Sequence, residues 1–176
     1  MHTWRFSIIV MNRIQRIKRS FIVFIINHFL SGTHAFGIKR NLLNSVNNVE
    51  IGKNTKIVGP IWIYGSLSVG DNTWIGHDFR VEGNGNVSIG SRCDIAPMVT
   101  CFTGGHMIGE HKRRAGEGIT ENISIGNGCW IGGGASLIYG TIVSDGVVVA
   151  AGAVVSKSVD ADCLVGGVPA KTIRQL

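Results

Sequence analysis

The chain has 176 residues, room for one ordinary domain, and its 25 glycines, 44% hydrophobic and 16% charged residues exclude a disordered tail and call for a buried core. The formal charge of +6 is unevenly placed: residues 1–48 hold Arg5, Arg13, Arg16, Lys18, Arg19, Lys39 and Arg40 with no acid, leaving 10 basic against 11 acidic residues beyond them. A nucleic-acid groove, which would spread cations and stacking aromatics along the folded face, is therefore not expected.

The first element in chain order is this basic arm, residues 1–48. Two apolar stretches, SIIVM ending at Met11 and FIVFIINHFL over 21–30, flank the basic run NRIQRIKRS. Neither reaches the roughly 18 to 20 apolar residues that cross a bilayer. One or two short helices are predicted, with Arg13, Arg16, Lys18 and Arg19 outside. Packing of their apolar faces on the protein and contact with an anionic membrane surface both stay open. The expected location is the cytoplasm, with the inner membrane face as an alternative station.

From position 51 an aliphatic residue returns every six residues. Ile51, Ile57, Ile63, Val69, Ile75, Val81 and Val87 form a first phase; after a slip at GNGNV come Ile89, Ile95 and Cys101; after a polar interruption, Ile125, Ile131, Leu137, Val143, Val149 and Val155. Small residues sit four positions after many of these: Thr55, Thr73, Cys93, Cys129, Ala135, Thr141 and Ala153. Such a period fits neither a helix nor an alternating strand. It fits a solenoid of one short strand and one turn per unit, three units to a coil, with the aliphatic residues inward and stacked at roughly 4.8 Å. None of the four cysteines forms a CxxC pair, so reduced, buried thiols are expected.

The period, the interrupting loop and the C-terminal GGVPAKTIR occur together in the order seen in the hexapeptide-repeat acyltransferases. Residues 49–174 resemble that family, and its sugar and polysaccharide O-acetylating branch most of all. The resemblance implies an all-β, left-handed parallel β-helix over 49–166, with an α-helical arm before it and a tail over 167–176. It also implies a homotrimer with active sites between subunits, acetyl-CoA as co-substrate, no metal, and a sugar or glycan acceptor.

The repeat breaks over 103–122, where Arg113 would otherwise point inward, so the chain is expected to leave the coil as a loop. His106, after two glycines, is placed to stand at a coil corner. Moving an acetyl group from a thioester to a hydroxyl needs a base that accepts a proton near neutral pH, and histidine is the side chain suited to it. The family's catalytic histidine sits in a matching GH motif, which implies the role of general base for His106. The family's acceptor-side asparagine aligns with Gly76, and His77, Asp78, Asn84 and Asn86 are the alternatives; Arg113 and Glu117, with Glu110 and Arg114, are further acceptor candidates. On the donor side the resemblance points to Trp130, Gly132, Gly133, Ala151, Lys157, Lys171 and Arg174, the last three toward the CoA phosphates.

Two rival readings remain. His106 and His111, five apart, with His77 upstream, match the spacing of the zinc hydratases of the γ-class carbonic anhydrase type, built on the same coil. The solenoid also suits a scaffold without catalysis. Cys101 falls on an inward position, which disfavours an acyl-cysteine route.

Overall fold

The structure, a computed structural model, describes residues 13–176. From Val49 the chain winds as a three-sided coil. The first coil holds β1 (Val49–Ile51), β2 (Lys56–Ile57) and β3 (Ile61–Ile63), and the second β4 (Ser66–Val69), β5 (Trp74–Ile75) and β6 (Phe79–Glu82). In the third are β7 (Asn86–Ile89), β8 (Asp94–Ile95) and β9 (Thr100–Phe102), followed by the excursion β10 (Gly104–Ile108) and β11 (Ala115–Thr120). The fourth has β12 (Ile123–Ile125), β13 (Trp130–Ile131) and β14 (Ser136–Ile138), and the fifth β15 (Ile142–Val143), β16 (Val148–Val149) and β17 (Val154–Val155). The chain ends on β18 (Cys163–Gly167) and β19 (Ala170–Gln175).

Each side of the coil is a parallel sheet. The first side runs β1-β4-β7-β12-β15, the second β2-β5-β8-β13-β16-β18-β19, and the third β3-β6-β9-β14-β17. Only β19 departs from parallel pairing in these sides, folding back antiparallel on β18, so residues 167–176 largely continue a sheet instead of trailing from it.

The six-residue period is the inward column. Every aliphatic residue that it picks out is buried, from Ile51 to Val155, as are the small fillers Thr55, Thr73, Cys93, Cys129, Ala135, Thr141 and Ala153. All four cysteines are buried and free. One member changes layer: Val87 stacks on Leu67 and Ile123, while Val69 stacks on Ile89. The two extra residues at GNGNV are absorbed at the corner before β7, so that coil takes 20 residues between Leu67 and Val87 instead of the 18 between Val49 and Leu67. At the next corner a Cβ on Gly90 would lie 2.6 Å from the Gly126 carbonyl oxygen; only glycine lets successive coils close up there.

Beside those glycines runs a ladder that the period does not reveal. At these corners the side chains of Asp71, Ser91, Asn127 and Asp145 each accept the backbone N–H of the counterpart residue one coil earlier. Lys53 N donates to Asp71 Oδ1 at 2.7 Å, Asp71 N to Ser91 Oγ at 3.0 Å, Ser91 N to Asn127 Oδ1 at 2.9 Å and Asn127 N to Asp145 Oδ1 at 2.7 Å. Corner amides that the sheets leave over are thereby satisfied. The following residue takes a left-handed conformation in every coil: Asn54, Asn72, Arg92, Gly128 and Gly146 have φ between 55° and 69°. Asn and Gly tolerate that region and arginine does not. Arg92→Asn is expected to stabilise the fold by about 1 kcal/mol, read as a rise in the thermal unfolding midpoint.

The arm forms two helices, α1 (Arg13–Phe29) and α2 (Phe36–Asn44). They close the open end of the first coil, burying Ile22, Ile26, Leu43 and Val46 with the core. The Asn27 carboxamide brackets Ile61, accepting from its N–H and donating to its C=O, both at 2.9 Å. Arg13, Arg16 and Lys18 are exposed, but Arg19 corrects the sequence expectation: it is half-buried and donates to the Gly65 carbonyl at 2.9 Å. The SIIVM stretch lies outside the described residues. Lys39 is wholly buried, a placement that its basic surroundings in the sequence do not suggest. Its Nζ donates to Gly32 O at 2.7 Å and Val58 O at 3.0 Å and lies 4.8 Å from the centre of the Phe36 ring. No described helix is long and apolar enough to cross a membrane.

Candidate active site

The interruption is a β-hairpin, not an irregular loop. Its strands β10 and β11 pair antiparallel, Gly104 with Thr120 and His106 with Gly118. Both faces are solvent-exposed for most of their length, and Arg113, which continued coiling would have buried, stands exposed near its tip. Thr103 anchors the hairpin. Fully buried, it donates through Oγ1 to Glu82 O at 2.9 Å, accepts there from Gly85 N at 3.0 Å, and takes the returning Glu121 N–H on its carbonyl at 3.0 Å. The outgoing and returning strands are thus tied to one residue of the third coil.

His106 is the third residue of β10, beyond the corner where the sequence places it. The pairing register shifts between His106 and Ile108, and such a bulge re-aims the side chains beside it. The imidazole Nδ1 lies 2.9 Å from the Gly116 carbonyl oxygen. A carbonyl only accepts, so Nδ1 carries the proton; in the neutral ring Nε2 then keeps its lone pair, the tautomer that a base acting through Nε2 requires. Behind His106, a Cβ on Gly105 would overlap the ring of Tyr139. Tyr139 therefore backs the strand that carries the imidazole, a support that sequence reasoning passed over because it comes from the next coil. Gly105→Ala is expected to displace His106 and to lower by about tenfold to a hundredfold any catalysis that passes through it, with little change in the unfolding midpoint. Steady-state kinetics beside thermal unfolding checks this.

The other candidates divide between two edges of the third side. On the edge shared with the first side lie His106, Tyr139, Asn84, Asn86 and Lys157. Asn84 is exposed on the two-residue slip, directly below the hairpin base, while Asn86 is tied by its N–H to Asn122 Oδ1 at 2.9 Å. On the opposite edge, shared with the second side, lie His77, Asp78, Gly132, Gly133 and Ala151. Met98 N donates to His77 O, Gly134 N to Pro97 O and Gly152 N to Gly133 O, which stacks them in one column. Gly76 belongs to that column, under Ala96 and Pro97; the residues one coil below the hairpin base are Glu82 to Gly85. Trp130 stands on the second side between Asp94 and Val148, its side chain in the open at 56% exposure. Lys171 and Arg174 are exposed on β19. Glu110, Arg114 and Glu117 stay with Arg113 on the hairpin. A single chain therefore does not bring His106 to Trp130, Gly132, Gly133 or Ala151, and of the donor candidates only Lys157 shares its edge.

The rivals fare less well in this geometry. His77 is on the far edge, 2.8 Å from the Asp78 carboxylate, and His111 is in the hairpin's tip turn. Among the described residues no three His, Cys, Asp or Glu side chains are grouped to hold a metal ion. Burial pushes the Cys101 thiol up to about 12, so it supplies no thiolate nucleophile near neutral pH. A concavity of about 960 Å³ follows the outer face of the first side over Ser68, Ser88 and Ser124 and reaches the hairpin base at Glu121 and Asn122.

No family model matches the chain. It is 31% identical over 140 residues to the galactoside O-acetyltransferase of Escherichia coli, a match that covers 78% of this chain and 69% of that enzyme. A protein of Escherichia coli provisionally assigned as a colanic acid biosynthesis acetyltransferase is 34% identical over 131 residues, covering 73% of this chain and 66% of its own length. Among solved structures, a galactoside acetyltransferase in complex with coenzyme A superimposes with a TM-score of 0.79 at 28% identity, covering 94% of this chain and 84% of that one. A hexapeptide-repeat acetyltransferase of Vibrio cholerae in complex with acetyl-CoA gives 0.80 at 26% identity, covering 93% and 87%. These neighbours are left-handed β-helices, and the coil described above winds as theirs do. By fold, by repeat and by sequence, the chain belongs to the hexapeptide-repeat acetyltransferase family.

Proposed function

We propose that the chain transfers an acetyl group from acetyl-CoA to a hydroxyl of a sugar or polysaccharide precursor, with His106 as the general base. The observation that carries this reading is the bond from Nδ1 of His106 to the Gly116 carbonyl, which leaves Nε2 free on an exposed strand. Nε2 takes the proton of the acceptor hydroxyl as its oxygen attacks the thioester carbonyl; the new C–O bond forms, the C–S bond breaks, and the thiolate of CoA recovers the proton from the imidazolium. A backbone amide serves the oxyanion. The solved relatives that hold coenzyme A and acetyl-CoA support the donor, and the galactoside and colanic acid relatives support a carbohydrate acceptor.

His106 lies on one edge of the third side and Gly132, Gly133 and Ala151 on the other, so the reading has two copies of the chain complete each site, in a trimer. Trp130, Gly132, Gly133 and Ala151 of one copy line the pantetheine channel facing the hairpin of the next, where the absence of side chains at the glycines admits the thin arm. Lys157 from the histidine edge and Lys171 and Arg174 from β19 meet the CoA phosphates. His77 and Asp78 on one edge, with Asn84, Asn86, Arg113 and Glu117 on the other, contact the acceptor. Mixed oligomers test the arrangement: His106→Ala and Ala151→Trp chains, each inactive alone, regain part of the wild-type rate when refolded together. No recovery would mean that the site is not shared between copies.

A further inference from the structure

Helix α1 is amphipathic twice over, and only one of its apolar faces is used among the described residues. The inner face is committed to the first coil through Ile22, Ile26, the Asn27 bracket on Ile61 and the bond from Arg19 to Gly65. Turned away from the protein, Ile14, Ile17, Phe21 and Phe24 follow one another at helical spacing and are 76%, 61%, 62% and 49% exposed. Phe24 stacks on His28 with ring centres 4.2 Å apart and meets Phe29 edge-on, which prolongs the stripe to the helix end. Arg13, Arg16 and Lys18 are exposed beside it. No acid occurs in the first 48 residues, and the rest of the chain is nearly neutral.

We infer that this outer face docks on an anionic lipid surface. The stripe calls for an apolar layer and its flanks call for negative charge, and the headgroup boundary of an anionic bilayer offers both within the depth of one helix. At 17 residues the helix is about 26 Å long, and the bonds of its inner face hold it flat against the coil, so it lies in the surface and does not insert across it. A second copy of the same helix is a poor occupant, since it would set Arg13, Arg16 and Lys18 against their own kind. The inference rests on α1 alone and is independent of the acetyl-transfer reading.

Co-sedimentation of the full-length protein with vesicles of phosphatidylcholine alone, or of phosphatidylcholine with phosphatidylglycerol, tests it. Binding is expected only to the vesicles with phosphatidylglycerol, weakening as salt is raised. Phe21→Ser with Phe24→Ser, and separately Arg13→Gln with Arg16→Gln, are each expected to weaken it by about tenfold or more. Because these side chains are exposed, the unfolding midpoint should stay in place. Equal binding to both kinds of vesicle, or undiminished binding by both double variants, would overturn the inference. So would a smaller assembly for Phe21→Ser with Phe24→Ser in analytical ultracentrifugation, which would make the face a contact between copies.

Discussion

Replacing His106 by alanine is expected to lower kcat by about a hundredfold to ten-thousandfold, while acetyl-CoA binding and the unfolding midpoint stay near their wild-type values. The side chain is exposed and its one bond among the described residues is to the Gly116 carbonyl, so its loss removes nothing from the core. What it removes is the lone pair on Nε2, and the tautomer that presents it is set by that single bond. Added imidazole should restore part of the rate to His106→Ala and leave the wild type unchanged, because a free base in the vacated space substitutes for the missing one. A variant that only misplaced the acceptor would gain nothing from imidazole. Steady-state kinetics with acetyl-CoA and a sugar acceptor, with and without imidazole, reads both effects.

Replacing Lys39 by alanine is expected to destabilise the fold by about 3 kcal/mol, and by methionine about half as much. The alanine leaves a cavity where one of the largest fully buried side chains had been and strips Gly32 O and Val58 O of their ammonium donor. Methionine keeps most of the volume and loses only the bonds, and Val58 O still accepts from Gly32 N at 2.9 Å. The two variants therefore separate packing from hydrogen bonding in chemical denaturation. Burial also lowers the Lys39 pKa from its ordinary 10.5. In the window between the lowered and the ordinary value the unfolded chain holds the proton that the folded chain has released, so stability rises with pH there. As the pH climbs toward 10.5, wild type should gain stability relative to Lys39→Met; a constant difference would mean that the buried ammonium pays no desolvation penalty.

The inward columns were legible in the sequence because one physical demand, an aliphatic side chain stacked on its equivalent in the next coil, recurs at a fixed interval from Ile51 to Val155. The corner ladder escaped notice for the opposite reason. Asp71, Ser91, Asn127 and Asp145 each offer a side-chain oxygen as acceptor but are three residue types, so no repeat marks them. The hairpin read as a loop because β10 and β11 stand clear of the core, and a two-stranded ribbon wetted on both faces has no apolar alternation to display. Lys39 sits in an arm without periodicity, among cations that are mostly exposed; its burial depends on where Gly32 and Val58 meet, which only the folded chain decides.

The candidate site was legible in its parts and not in their arrangement. His106 stood out through its glycines and its loop, but the bond that orients it depends on a register shift at Met107, and the residue that supports it, Tyr139, comes from the following coil. Gly76, which the alignment sets opposite the acceptor asparagine, stacks at the other edge because the slip at GNGNV brings Asn84 beneath the hairpin instead. The two edges, one with His106 and one with the glycine corner, follow from counting sides of the coil, which the six-residue period permits only once the hairpin and the slip have been set aside.

The most direct test of the central claim is calorimetric titration of the metal-stripped, full-length protein with acetyl-CoA, in wild type and in His106→Ala. Saturable micromolar binding in both, with transfer to a sugar hydroxyl in the wild type alone, is the predicted result. Absence of acetyl-CoA binding to the folded wild-type protein, or transfer at an undiminished rate by His106→Ala, would contradict it.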